Sequence, residues 1–129
     1  MERRLRLGRR RGMSMVEIMV VIAILVTLMT LMALGVARAW EGSKVQLTKL
    51  TMGKVSQQVI MHQAMQGDLP TEAQGLEVVY SGEEVPRDAW SGEFEYERAK
   101  RDFDLLSFGK DGEPGGAGFA ADLRKSELH

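Results

Sequence analysis

Residues 12–36 read GMSMVEIMVVIAILVTLMTLMALGV, an apolar run interrupted near its start by a single carboxylate, Glu17. From Met15 to Val36 the only other polar side chains are Thr27 and Thr30. A bilayer-spanning helix needs about 20 predominantly apolar residues, so this stretch is long enough for a membrane anchor. Toward the N-terminus, Arg3, Arg4, Arg6, Arg9, Arg10 and Arg11 stand against Glu2. Basic flanks stay on the cytoplasmic side of a membrane, which sends the chain beyond the anchor across it, in a bacterium into the periplasm.

A secretory signal has a shorter apolar core followed by a small-residue cleavage site, and residues 33–39 match that only weakly. Gly12 instead stands directly between the basic block and the apolar run, with Glu17 the fifth residue after it. This arrangement resembles the class III signal of type IV pilins and pseudopilins. The resemblance implies cleavage by a prepilin peptidase between Gly12 and Met13, N-methylation of Met13, and an anchor retained on the mature chain. Glu17 itself calls for a partner, because a carboxylate in an apolar helix costs about 2.5–3.5 kcal/mol on insertion scales. Two remain open: the Met13 amine of an adjacent subunit, as the resemblance implies, or the positive end of its own helix.

The chain has 129 residues, and less than a hundred follow the anchor, enough for one small domain. Net charge is −1 overall; six arginines against one glutamate give the leader +5, leaving about −6 for the remainder. That balance disfavours nucleic acid as a partner. With no cysteine there is no disulfide to support the small core, and a metal is the natural substitute.

After the anchor, residues 37–66 contain good helix formers and no proline, so one helix is expected to continue from the membrane segment. From Met13 to Gln66 it would be roughly 80 Å long at about 1.5 Å per residue. Val45, Met52, Val55 and Val59 mark an apolar stripe, with Leu47, Leu50, Met61 and Met65 expected to widen it. Gly35, Gly42 and Gly53 are weak points of about 1 kcal/mol each, and Gly35 is the place to bend or melt. Trp40 suits the membrane–water boundary. His62 has no second histidine, cysteine or spaced acid nearby, so no chemistry is assigned to it.

Gly67 and Pro70 should end the helix. A short second helix is expected over residues 73–80, with Thr71 as its cap and Glu72 in its first turn. Phe94, Tyr96 and Arg98 alternate with Glu93, Glu95 and Glu97, and residues 102–108 are again strand-like, predicting an antiparallel hairpin. A glycine-rich loop, FGKDGEPGGAGFAAD (residues 108–122), comes next, and residues 124–129 read as a frayed polar tail. The expected organisation is a leader over 1–12, an anchor over 13–36, a periplasmic domain over 37–123 and the tail over 124–129.

Three blocks make the resemblance specific: LPTEAQGLEVV (69–79), DAWSGEFEY (88–96) and FDLLSFGKDGEPGG (103–116). Their order and spacing are similar to those of the major pseudopilins of the type II secretion system, its G component, over residues 12–123. The chain departs from that pattern at Leu34-Gly35 and Ala89, where the family has proline, and at Leu69, where it has an aromatic. The resemblance implies an α+β pilin-like fold, a long helix packed on a short helix and a small antiparallel sheet. It also implies a structural subunit of a periplasmic filament that drives export of folded proteins across the outer membrane. Implied partners are further copies of the chain, minor pseudopilins, the prepilin peptidase and the inner-membrane secretion platform.

The glycine-rich loop lacks both the alternating acids of an EF-hand and the Lys-Ser/Thr ending of a phosphate loop. The resemblance implies a structural calcium there, for which Asp111, Asp122 and backbone carbonyls such as that of Phe108 supply hard oxygen ligands. Other readings are a type IV pilin or minor pseudopilin, and a monomeric single-span protein with a calcium-dependent periplasmic binding module. The missing C-terminal disulfide loop argues against a major pilin. No nucleophile–base pair is visible, and Glu83, Glu84, Glu93, Glu95 and Glu97 read as a solvated face, so no enzyme is expected.

Overall fold

A computed structural model describes residues 12–128, so the arginines of the leader lie outside the described residues. The chain divides into two compact units, residues 1–37 and 38–129.

Helix α1 (Met15–Gln66) belongs to both units and opens in the first, at Ser14. The Ser14 hydroxyl accepts the Glu17 N–H at 3.2 Å and its carbonyl accepts the Ile18 N–H at 3.2 Å, which makes it the N-cap. The large apolar side chains from Met13 to Val36 remain between 44% (Ile18) and 82% (Met15) exposed. The Thr27 and Thr30 hydroxyls donate back to the carbonyls of Ala23 and Val26 at 2.8 and 2.9 Å, so neither is left seeking a partner. The chain is still helical at Gly35. With a mean hydropathy of 2.7 over eighteen residues, α1 is long and apolar enough to cross a membrane once.

In the second unit the later turns of α1 bury Thr48, Met52, Val55, Ser56 and Val59, an i, i+4, i+7, i+11 stripe thickened by one serine. Leu47, Leu50, Met61 and Met65 do not widen it. They are 55%, 66%, 54% and 75% exposed, because at 3.6 residues per turn they fall a third to half a turn away from the buried face.

The helix ends with the Gly67 N–H on the Gln63 carbonyl at 2.8 Å. Thr71 then pairs reciprocally with Gln74: its N–H and hydroxyl donate to the amide oxygen at 3.0 and 2.9 Å, and the Gln74 N–H donates back at 3.3 Å. This is capping-box chemistry, but Gly75 at φ +56° halts the turn it starts. Helix α2 is therefore confined to Glu77–Tyr80, shorter than the expected 73–80, and Thr71 caps the turn ahead of it.

Strands β1 (Glu95–Arg98) and β2 (Phe103–Ser107) form the expected hairpin, with Tyr96 opposite Leu105 and Arg98 opposite Phe103. A third strand, β3 (Leu123–Arg124), pairs antiparallel with β2 and completes the order β1-β2-β3. Residues 124–128 are thus no frayed tail. Arg124 meets Glu97 at 3.0 Å and Asp104 at 3.5 Å. Lys125 lies 3.2 Å from Asp102, donates to the Phe103 carbonyl at 2.9 Å, and sits 3.9 Å above the Phe103 ring centre. Ser126 donates twice to Asp104, through its hydroxyl and its N–H, and Leu128 packs on the core. The hairpin's acids thus provide partners for the basic C-terminus.

One core gathers Met52, Val55 and Val59 of α1, Leu69, Leu76, Phe94, Tyr96, Phe103 and Leu105. The Tyr96 hydroxyl donates to the Pro70 carbonyl at 3.0 Å, and Arg98 donates to the Leu69 carbonyl and the Asp68 carboxylate, each at 2.9 Å. Polar groups at the core edge are satisfied in this way. The fold is α+β and pilin-like, as the sequence implied. Leu105→Ala should cost about 2–5 kcal/mol of unfolding free energy, whereas Leu47→Ala, on the exposed face, should stay within about 0.5 kcal/mol, measured by denaturant unfolding of the full chain.

Candidate functional site

Two regions carry the candidate functional side chains. At the first, Gly12 and Met13 precede the helix in non-helical backbone, with Met13 68% exposed. Ser14 as N-cap puts Glu17 at the third helical position, in the turn where unpaired backbone N–H groups make the helix end positive. Sequence reasoning singled out Glu17 and missed Ser14. The Ser-x-x-Glu spacing of a capping box was the available signal.

The second region lies where the segment before β1 meets the end of β2. Asp88 is buried, and one carboxylate oxygen accepts the N–H groups of Trp90 at 2.9 Å and Gly92 at 2.6 Å. Its other oxygen accepts the hydroxyl of Ser107, also buried, at 2.7 Å, and the Ser107 oxygen accepts the Gly109 N–H at 3.3 Å. Next to it, the Ala89 N–H donates to the buried Thr48 hydroxyl of α1 at 3.1 Å. The Trp90 indole N–H donates to Glu41 at 3.0 Å, and the Lys110 ammonium lies 3.0 Å from the other Glu41 oxygen. Glu41 thus fastens both the Trp90 segment and the glycine-rich loop to the helix. The Trp90 hydrogen bond first, then that of Lys110, holds its carboxyl below the usual carboxylate range.

The loop over residues 108–122 closes on itself. Ser107 pairs with Leu123, so Phe108 and Asp122 stand at its mouth. Both Asp122 oxygens accept the Gly115 N–H, at 3.0 and 3.1 Å, and Asp111 accepts the Glu113 N–H at 3.3 Å. The Lys110 N–H donates to the Phe119 carbonyl at 3.0 Å. Gly109 and Gly116, both at positive φ, have the carbonyls of Ala121 and Ala120 where a side chain would sit, so the closure requires glycine at both. For a metal, the donor chemistry suits a hard cation: carboxylates Asp111, Glu113 and Asp122 with carbonyls around them. Among the described residues no three His, Cys, Asp or Glu side chains are grouped to hold an ion, so a cation here would draw mainly on backbone oxygen.

Sequence reasoning placed Asp111 and Asp122 on this loop and missed Asp88, Ser107, Glu41 and Lys110. Asp88 carried a signal, being an acid directly beside the Ala89-Trp90 pair. Glu41 carried none, because its partners lie 49 and 69 residues away in the chain.

The profile of the family described as "Type II secretion system (T2SS), protein G" matches residues 35–126. The chain belongs to that family. A curated protein from Xanthomonas campestris pv. campestris, "Type II secretion system core protein G", is 29% identical over 126 residues, spanning 88% of this chain and 87% of its own length. The matched span of the family profile includes Asp88, Trp90, Glu41 and the whole closed loop, whereas the Gly12–Glu17 junction precedes it. Family membership gives the chain a role in type II secretion, a protein-transport system, and its long apolar helix fits a single-pass anchor within that system.

This geometry sets two expected outcomes. Asp88→Ala strands three donors in a buried site, at about 1–3 kcal/mol per unsatisfied group, and should lower the unfolding free energy by about 3 kcal/mol or more. The carboxyls of Glu41, Asp68 and Asp102 are depressed, chiefly by hydrogen bonds from Trp90, the Leu69 N–H and the Phe103 N–H respectively. Groups with folded pKa values below their unfolded ones stabilise fully above the unfolded value and lose that contribution as pH falls through the folded value. The thermal midpoint should therefore drop as pH falls below the ordinary carboxylate range, and less steeply in Glu41→Gln.

Proposed function

We propose that this chain is a structural subunit of a type II secretion filament, held in the inner membrane by its apolar helix with residues 38–128 in the periplasm. The observation that carries the proposal is a helix whose large apolar side chains up to Val36 stay exposed among the described residues, opening on Ser14 and Glu17 just after Gly12. A prepilin peptidase cuts between Gly12 and Met13 and Met13 is N-methylated. In the filament, Glu17 meets the Met13 amine of a neighbouring copy, removing two charges from an apolar interior together. Minor pseudopilins and the inner-membrane platform are its other partners, and assembly drives folded proteins across the outer membrane. Its work is mechanical, with no chemical step assigned to any residue.

The loop over residues 108–122 is further proposed to hold calcium through Asp111, Asp122 and the Phe108 carbonyl. When bound, the ion neutralises loop carboxylates and cross-links oxygen atoms distant in sequence.

The filament reading is tested by intact mass and N-terminal sequencing of membrane-purified protein co-expressed with a prepilin peptidase. A mature chain starting at N-methyl-Met13 is expected, with cleavage lost in Gly12→Ala and assembly lost in Glu17→Ala. An uncut leader, or a cut near Ala39, overturns it. For the metal, calcium added to chelator-treated full chain should raise the thermal midpoint, and Asp122→Asn should abolish the rise. Equal midpoints with and without calcium overturn the metal assignment and leave the subunit reading standing.

A further inference from the structure

The last two turns of α1 carry Met61-His62-Gln63-Ala64-Met65. Met61 and Met65 are four residues apart, stacked on one face with their Cβ atoms about 5–6 Å apart. His62 is three residues before Met65 and a third of a turn from Met61, so all three side chains fall within one arc of the helix. The chain folds back over this arc: Met61, His62 and Met65 all line one open cavity of about 600 Å³, whose far wall comes from residues 68–81. The two thioethers are conspicuously exposed, at 54% and 75%.

The cavity is poor in the carboxylates that hard metals favour. Its one carboxylate, Asp68, already engages the Arg98 guanidinium at 2.9 Å and the Leu69 N–H at 2.8 Å, both through Oδ1. Gln74 is likewise occupied by Thr71. Beside the amide and hydroxyl oxygens of Gln58, Gln66 and Ser81, the arc of α1 itself offers two thioether sulfurs and one imidazole, a neutral soft set. Calcium and magnesium require oxygen ligands, and zinc favours thiolate, imidazole and carboxylate. Thioethers with imidazole select monovalent copper, which accepts low coordination numbers.

We propose that Met61, His62 and Met65 form a binding site for a soft monovalent metal ion, Cu(I), on the arc of α1 that flanks the core stripe. Sequence reasoning left His62 without chemistry because it sought a second histidine, a cysteine or an acid and did not count thioethers. The site depends neither on the filament nor on the calcium loop.

The test uses the full chain in detergent micelles, with its methionine methyl groups labelled with ¹³C, and Ag(I) as a redox-inert probe of the same charge and softness. At one equivalent, the methyl signals of Met61 and Met65 and the ring signals of His62 should shift together while those of Met15, Met19, Met29 and Met32 stay put. Met61→Leu and Met65→Leu preserve the apolar volume, and His62→Gln preserves polarity. Each should weaken Ag(I) binding by at least the roughly tenfold that loss of a supporting partner costs a metal site. Cu(I) should then displace Ag(I), and calcium and zinc should not. Three results overturn the proposal: no shift at one equivalent, equal response from every exposed methionine, or parental affinity in the leucine variants. His62→Gln alone decides the matter if a leucine variant fails to fold.

Discussion

Between Met13 and Val36 each large apolar side chain keeps at least 44% of its surface, so this helix must take cover from lipid or from other chains. The consequences run down the whole sequence. Such a surface is incompatible with life as a free monomer in water, and it restricts where a charge can be placed. Glu17 is tolerated because it sits in the first turn, where the helix end is positive. The second unit is in turn obliged to fold from the residues beyond 37 alone.

That unit is small, lacks disulfides, and is closed by polar junctions as much as by apolar burial. Met52, Val55 and Val59 supply the seat on the helix, and the hairpin lays Tyr96, Phe103 and Leu105 against it. Around this core, Asp88 gathers backbone N–H groups from its own turn and the hydroxyl of Ser107, while Glu41 receives Trp90 and Lys110. Each of these carboxylates joins segments far apart in sequence, the task a disulfide performs in many exported domains of this size.

The elements most readable in the sequence were those dictated by local rules. Period two marked β1 and a strand-like run marked β2, a long apolar run marked the first part of α1, and Gly67 with Pro70 marked its end. Where local rules competed, legibility failed. Thr71-x-x-Gln74 announced a helix start, yet Gly75 cancelled it one residue later, leaving α2 only four residues. Leu47, Leu50, Met61 and Met65 read as core by composition, and only the angular position of the buried stripe shows that they face outward. The C-terminal residues read as a polar end because charge alone suggests solvation. Their partners Glu97, Asp102 and Asp104 become neighbours only once the hairpin has formed. Of the second region, Asp111 and Asp122 were visible as loop acids, but Asp88 and Glu41 act through contacts set by the three-dimensional fold.

Thr27 and Thr30 keep their hydroxyls on the carbonyls one turn back, so the helix in which they lie presents its surroundings with an almost uniform hydrocarbon exterior. Hydrocarbon chains and the flanks of neighbouring helices are nearly equivalent surroundings for such an exterior, since exchanging one for the other breaks no hydrogen bond and strips no hydrated group. The helix is therefore lubricated: it can pass between lipid and protein with little thermodynamic resistance. What resists such an exchange along that stretch is its one charged side chain, Glu17, five residues from Gly12.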